Sequence, residues 1–332
     1  MTTPTPPPPI RWGILGTGGI AAHFATGLGS VPGAAITAVG SRTQEAADRF
    51  GERFGVPRRH GSYAALAADP EVDVVYVATP HTLHRANSLL CLGAGKAVLC
   101  EKPFALNAGE AAEVIAAARA RGLFLMEAMW SRYYPAMVRA RELLAAGAIG
   151  EPRLLHADLG FRATVNPVGR LFNPALGGGA LLDVGVYPVS LASMIFGEPT
   201  AIASQAHLGE TGVDEQAGMV LSYAGGQLAV LYTSIRTLTP HEALIMGTAG
   251  MLRLGLDWHK PNRLTITKPG QPEEVIPLPF EGNGYNYEAI EVGDCLRAGR
   301  RESAAMPLDE TLAIMRTLDT IRAQWGLRYP GE

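Results

Sequence analysis

Glu101-Lys102-Pro103 follows directly on the apolar run Ala97–Cys100, and Asp183 and Tyr187 stand four residues apart behind a Gly177-Gly178-Gly179 turn. A charged pair after a buried strand, pinned by a proline, is not ordinary loop composition. A lysine placed there projects beyond the carboxyl end of the strand, where open α/β sheets bind their ligands. Asp183 and Tyr187 share a face once a helix has begun. A free tyrosine titrates near ~10 and is a poor base at neutral pH. A neighbouring ammonium and a helix N-terminus both favour its phenolate. Lys102 beside Tyr187 would form a proton-transfer pair, with Asp183 orienting one of the two. That pair suits the oxidation of a carbinol or the reduction of a carbonyl. Each residue also has a structural reading: a snorkelling lysine, an N-capping aspartate, a core tyrosine.

The hydride carrier for such chemistry is expected at the other end of the motif set. Gly16-Thr17-Gly18-Gly19-Ile20-Ala21 follows one apolar strand pattern and opens a helical one. This is the G-x-G-x-x-A form of the dinucleotide fingerprint. Gly16 permits the tight turn, Gly18 lets the backbone approach a pyrophosphate, and Ala21 keeps the helix close to the sheet. The free N–H groups of the helix end complete the cradle. After the second strand an acid would hold the ribose hydroxyls of NAD, but Gly40-Ser41-Arg42-Thr43 stands there, with the first acid at Glu45. Ser41 and Arg42 can bind a 2′-phosphate, so NADP is expected, with NAD at lower affinity. Arg42 read as a solvated loop residue is the competing view. Thr79-Pro80-His81-Thr82-Leu83-His84 leaves another buried strand, and His81 and His84 are expected to line the nicotinamide pocket.

These residues need a frame to hold them. Strand patterns at Ile10–Leu15, Ala35–Val39, Val72–Ala78, Ala97–Cys100 and Leu123–Met126 alternate with helical ones at Ile20–Leu28, Gln44–Phe54, His84–Ala94 and Ala108–Arg121. That is a doubly wound parallel sheet, a Rossmann domain spanning 10–127. Pro135–Ala146 reads as a further helix. Period-two runs then follow at Arg153–Leu159, Ala201–His207, Ala217–Tyr223, Gln227–Ser234, Glu242–Met246 and Met251–Leu254, interrupted by a helix at Val184–Phe196. Helices at Tyr287–Leu296 and Leu308–Gln324 close the chain. Residues 128–332 are therefore expected to form an α+β domain on a large, mainly antiparallel, open-faced sheet, the last helix packing back on the first domain.

The chain has 332 residues, 47% hydrophobic and 18% charged, with a net charge of −3. That suits two globular domains and gives no electrostatic ground for nucleic acid or an anionic membrane as partner. No uninterrupted apolar run is long enough to span a bilayer. Residues 1–9 read as a Pro-rich disordered tail and not a signal peptide. Cys91, Cys100 and Cys295 lack metal-type spacing and suit reduced thiols in the cytoplasm, and no metal site is expected.

Together these motifs resemble the Gfo/Idh/MocA oxidoreductase family over nearly the whole chain. Leu99–Phe104, Met126-Glu127-Ala128-Met129-Trp130 and Gly185-Val186-Tyr187 are most similar to its branch of dimeric dihydrodiol dehydrogenases and NADP-dependent D-xylose dehydrogenases. Inositol dehydrogenase-type members carry a His where Tyr187 stands and an Asp where Ser190 stands, which argues against an inositol substrate. The resemblance implies hydride transfer at nicotinamide C4, with Lys102 and Tyr187 catalytic and Asp183 beside them. By similarity of position it puts Trp130, Phe161 and Arg162 in the substrate pocket, and Trp130, Arg132 and Tyr287 near the cofactor. It also implies a homodimer through the open sheet. The expected substrate is a sugar, a polyol or a trans-dihydrodiol. A ketoreductase of deoxysugars or 1,5-anhydrofructose and a catalytically silent NADP sensor are the alternatives.

Overall fold

The computed structural model describes residues 8–332; residues 1–7, most of the expected tail, lie outside the described residues. Strands β1 (Ile10–Leu15), β2 (Ala34–Gly40), β3 (Arg58–His60), β4 (Val74–Val77), β5 (Ala97–Glu101) and β6 (Leu125–Ala128) form a parallel sheet in the order β3-β2-β1-β4-β5-β6. Every residue of β4, β5 and β6 is buried, because helices cover both faces. These are α1 (Gly19–Leu28), α2 (Gln44–Phe54), the short α3 (Tyr63–Ala67), α4 (His84–Gly93) and α5 (Ala108–Arg121). Phe24 of α1 stacks on Tyr76 of β4 at 3.8 Å between ring centroids and meets Trp12 of β1 at 5.2 Å. The chain winds from β1 outward to β3, then returns to the other side of β1 at β4. The crevice at this reversal is where a doubly wound sheet binds its ligand.

A 3₁₀ turn at Trp130–Tyr133 and helix α6 (Pro135–Ala145) lead into the second sheet. It contains β7 (Pro152–Gly160), β8 (Ala201–Leu208), β9 (Asp214–Ser222), β10 (Leu228–Ser234), β11 (Ala243–Gly247), β12 (Gly250–Leu254), β13 (Arg263–Thr267) and β14 (Glu274–Pro277). Its order is β14-β13-β12-β11-β7-β10-β9-β8. Within this sheet only the β7–β10 pairing is parallel among the described strands. Burial alternates along β9 and β10, so one face is covered and the other is open. Helix α7 (Val186–Phe196) lies over β7 and β10.

The segment Pro174–Phe196 is, by length and composition, apolar enough to cross a membrane, which the run-by-run sequence reading did not find. In the fold 78% of its most apolar window is buried. It is broken into a 3₁₀ turn, one π-helical turn at Leu181–Gly185 and α7. Pro188 lacks an N–H, so the regular helical ladder cannot run back through Val184, and a wide turn precedes the helix. Helices α8 (Tyr285–Arg297) and α9 (Leu308–Ala323) return to the first domain, α8 against α1 and α9 against α5.

Candidate active site

Helix α1 begins at the carboxyl end of β1 without a side-chain cap or an acid in its first turn, so its free N–H groups stay available. Gly16 has φ +108°, and a Cβ there would stand 2.8 Å from the Ala78 carbonyl oxygen. Only glycine fits that approach between β1 and β4. A Cβ on Gly18 or Gly19 would meet nothing within 4 Å. The space they face is the end of a cleft of about 400 Å³ that runs past Thr79, Pro80 and His81 to Glu101, Lys102 and Asp183. The Ser41 hydroxyl lies 3.1 Å from that of Thr17, at the adenosine end expected for this cradle. Arg42 is exposed, with no ion-pair partner among the described residues. Thr43, and neither Ser41 nor Arg42, caps α2. Uncapped N–H groups, glycine-lined space and a free guanidinium fit a dinucleotide with a 2′-phosphate.

At the other end of the cleft the three predicted reactive residues come together. The Lys102 ammonium donates to the Asp183 backbone carbonyl at 2.7 Å and lies 3.8 Å from its carboxylate. It sits 4.7 Å from the centroid of the Tyr187 ring, over the ring face. The Tyr187 hydroxyl accepts a hydrogen bond from Trp130 Nε1 at 2.6 Å. Lys102 and Tyr187 are thus a cation–π pair, without a direct hydrogen bond between them. The π turn presents Asp183 and Tyr187 on one side. Asp183 does not cap the helix: its carboxylate receives Arg170 Nη1 at 2.6 Å. Burial pushes the Asp183 carboxyl up, but Lys102 and Arg170 outweigh burial and hold it at about 2.

Tyr187 departs from expectation. Burial raises its pKa well above the ordinary phenol range, further than the Trp130 hydrogen bond lowers it. The phenol therefore keeps its proton, and the lysine does not make it a phenolate in the free protein. Desolvation of a buried anion exceeds the pull of a cation over the ring face.

Aromatic rings wall the space around this centre. Trp130 stacks on Tyr285 at 4.5 Å with an interplanar angle of 4°, and Tyr134 meets its edge at 5.4 Å. His259 lies 5.9 Å from the Tyr187 ring and 6.2 Å from Trp130. His81 and His84 do border the cleft, but as buried struts. His81 Nδ1 lies 3.3 Å from the Gly177 carbonyl, and His84 bridges the Thr79 and Pro103 carbonyls at 2.8 Å each. Burial lowers both pKa values, that of His81 to about 3. Glu101 accepts the Tyr76 hydroxyl and the Lys102 N–H, which fixes the strand end. Glu288 on α8 is fully buried with neither carboxylate oxygen hydrogen-bonded, and burial followed by repulsion from Glu101 raises its pKa.

Four expected residues stand elsewhere. Arg132 is buried away from the cleft, where it bonds Glu310, the Ala305 carbonyl and Ser190. Its guanidinium is fully engaged and serves as a structural rivet. Tyr287 donates nothing toward the cleft: its hydroxyl accepts from the Glu281 N–H, and Tyr285 takes the place beside Trp130. Arg162 is exposed, and Phe161 is half-buried against the core with its N–H on the Ser234 carbonyl. Arg170, eight residues further along the same loop, is the arginine that reaches Asp183. Sequence reading missed Arg170, Tyr285, Glu288 and His259. The first and last lie in loops, where no periodicity shows which way a side chain faces.

This geometry can be set beside known proteins. Residues 10–129 match the Gfo/Idh/MocA model described as an oxidoreductase family with an NAD-binding Rossmann fold, and residues 137–253 match the family's C-terminal domain. The chain belongs to the Gfo/Idh/MocA oxidoreductase family. It is 41% identical over 335 residues to the trans-1,2-dihydrobenzene-1,2-diol dehydrogenase of Mus musculus, covering 97% of this chain and 99% of that protein. The Homo sapiens protein of that name is 38% identical, with the same coverage. A 3-ketoreductase from Actinomadura kijaniata, solved in complex with NADP and TDP-benzene, superposes with a TM-score of 0.85 at 28% identity, over 95% of this chain and 97% of that one. An aldose-aldose oxidoreductase from Caulobacter crescentus, complexed with glycerol, gives 0.87 at 26% identity, over 96% and 98%. The family expected from the motifs is the one found. As a member, the protein is an NAD(P)-dependent oxidoreductase acting on CH–OH groups, built on a Rossmann domain and a mainly antiparallel one.

Proposed function

We propose that the protein is an NADP-dependent dehydrogenase of trans-dihydrodiols. The observation that carries this is the site itself: a buried Tyr187 phenol under the Lys102 ammonium, inside walls of Trp130, Tyr134 and Tyr285. Flat aromatic walls suit an unsaturated carbocycle, and the one polar corner suits its two hydroxyls. Relatives named for that activity match the chain nearly end to end. The cradle of Gly16, Thr17, Gly18, Gly19 and Ile20, with Ser41 and Arg42 at the ribose, would hold NADP, and its nicotinamide supplies the hydride acceptor. In the direction of carbonyl reduction, Tyr187 gives its proton to the substrate oxygen. Lys102 over the ring offsets the phenolate charge left behind, and Asp183 with Arg170 holds Lys102 in place. Oxidation of the diol would need Tyr187 to lose its proton first, with Lys102 offsetting the phenolate charge, so that the phenolate accepts the hydroxyl proton as the hydride leaves.

A sugar or keto-sugar is the second reading, favoured by the solved structures of a 3-ketoreductase and an aldose-aldose oxidoreductase. Absorbance of reduced nicotinamide, followed with a trans-dihydrodiol, D-xylose and other aldoses, and nucleotide-linked keto-sugars, decides between them. A higher kcat/KM on any sugar than on the diol would reverse the assignment. No turnover with the whole panel would favour an NADP-binding sensor.

We also place a homodimer interface on the open face of the second sheet, where Val220, Leu228 and Val230 are exposed on adjacent strands. Sedimentation of the protein and of a Val230→Lys variant tests it. Three buried, unpaired cysteines suit a reducing compartment, and cell fractionation tests a cytoplasmic location.

A further inference from the structure

His241, Asp257 and His259 come from two loops, one leading into β11 and one leaving β12, at the same end of these neighbouring strands. Each offers one nitrogen or oxygen, and these three atoms lie within 4.8 Å of one another. One residue of β7 organises both loops. The Asp158 carboxylate receives the His241 and Glu242 N–H groups at 2.9 and 3.0 Å, while its carbonyl receives Trp258 Nε1 at 2.6 Å. Asp158 is fully buried and Trp258 nearly so, so the pair of loops is anchored and not adventitious.

His241 is held with one ring nitrogen aimed at the other donors. Its Nε2 lies 2.6 Å from the Gly160 carbonyl, an acceptor, so Nε2–H donates there. Its Nδ1 faces the Asp257 carboxylate at 2.8 Å, and both atoms are within reach of an ion bound beside them. A backbone carbonyl behind one ring nitrogen is also the arrangement that orients histidine ligands in metal sites. The third donor, His259 Nδ1, is buried and has no hydrogen-bond partner. Lys260, 3.8 Å from Asp257 on its outer side, is the other charged group in reach. His241 and Asp257 both hold left-handed backbones, φ +57° and +58°, which turn their side chains toward each other.

We propose that His241 Nδ1, the Asp257 carboxylate and His259 Nδ1 bind a divalent transition-metal ion of the zinc class. Two imidazoles and one carboxylate are a donor set for such an ion, with a position left for oxygen. The His259 ring is 5.9 Å from that of Tyr187, so the site adjoins the aromatic wall. The site does not rest on the dihydrodiol reading and stands or falls apart from it.

The test uses the full-length protein, stripped with a chelator and titrated with Co²⁺. The expected result is one ion per chain, with the intense visible ligand-field bands of a low-symmetry, four-coordinate site, displaced by Zn²⁺. His259→Ala and Asp257→Asn should each weaken binding by at least about 100-fold, while Lys260→Gln, which removes only a competing charge, should not weaken it. Circular dichroism and NADP binding report whether each variant is folded. The spectrum of the hydrated ion alone would overturn the proposal, as would Co²⁺ affinity unchanged in folded His259→Ala and Asp257→Asn. In either case the three side chains hold no ion, and the His241–Asp257 contact is an ordinary hydrogen bond.

Discussion

Replacing Tyr187 with Phe removes one oxygen atom and tests the centre directly. If Tyr187 donates the proton, kcat should fall by about 100- to 10,000-fold, the usual contribution of a positioned acid–base group. At about 1.4 kcal/mol per tenfold, that is about 3–5 kcal/mol of barrier. The structure supplies a comparison in the adjoining wall. Trp130 Nε1 donates to the Tyr187 hydroxyl at 2.6 Å, so Trp130→Phe keeps the acid and an aromatic ring against Tyr285 while it removes one neutral hydrogen bond. That bond is worth about 0.5–1.5 kcal/mol, so Trp130→Phe alone should cost roughly tenfold. Once the hydroxyl is gone there is nothing for the indole to donate to. Trp130→Phe in the Tyr187→Phe background should therefore leave kcat unchanged, and the double-mutant cycle should be non-additive by about the whole hydrogen bond. The assay is the steady-state rate of NADPH consumption with a carbonyl substrate, the direction in which Tyr187 gives its proton, with NADP affinity measured separately by fluorescence. NADP affinity should stay constant, since neither change touches the Gly16 cradle. If Tyr187→Phe retains kcat within about threefold of the parent, Tyr187 is not the acid. If Trp130→Phe costs as much as Tyr187→Phe, the loss reflects packing and the argument from proton donation fails.

Two further outcomes follow from the same geometry. Arg42→Asp should raise the KM for NADP by at least about 10-fold and leave that for NAD within about threefold, because a phosphate partner becomes a like charge; equal effects on both would remove Arg42 from the ribose site. Arg170→Met takes away the 2.6 Å partner that helps hold Asp183 at about 2. An acid with a lowered pKa stays ionised to low pH, so its raised value in the variant should move the acid limb of kcat/KM upward in pH, by an amount a pH–rate profile resolves. An unmoved limb would show that the Asp183 charge does not control the reaction.

How much of this was legible depended on periodicity. α2 and α5 match their expected bounds to the residue, because a capping Thr43 or Asn107 opens each and a left-handed Gly55 or Gly122 ends it. β3 is three residues long and partly exposed, and β14 is an edge strand with no buried residue, so neither carries an alternating signal. Lys102, Asp183 and Tyr187 were readable because a strand end and a four-residue helical step fix their directions. Tyr287 was misplaced for the same reason in reverse. Helix α8 starts two residues earlier than expected, and residues two apart point to nearly opposite sides, which brings Tyr285 to the cleft. The burial that raises the pKa of Tyr187 against the pull of a nearby cation was not legible, since burial depth cannot be read from the chain. Arg170 and the His241, Asp257 and His259 group depend on loop contacts between residues far apart in sequence.

The buried Arg132 has a consequence for the far end of the chain. It ties the turn after β6 to Ser190 on α7 and to Glu310 on α9. Helix α9 in turn packs on α5 and on α7. The last helix of the chain is therefore a brace for the helix that carries Tyr187, although no residue of α9 lines the cleft.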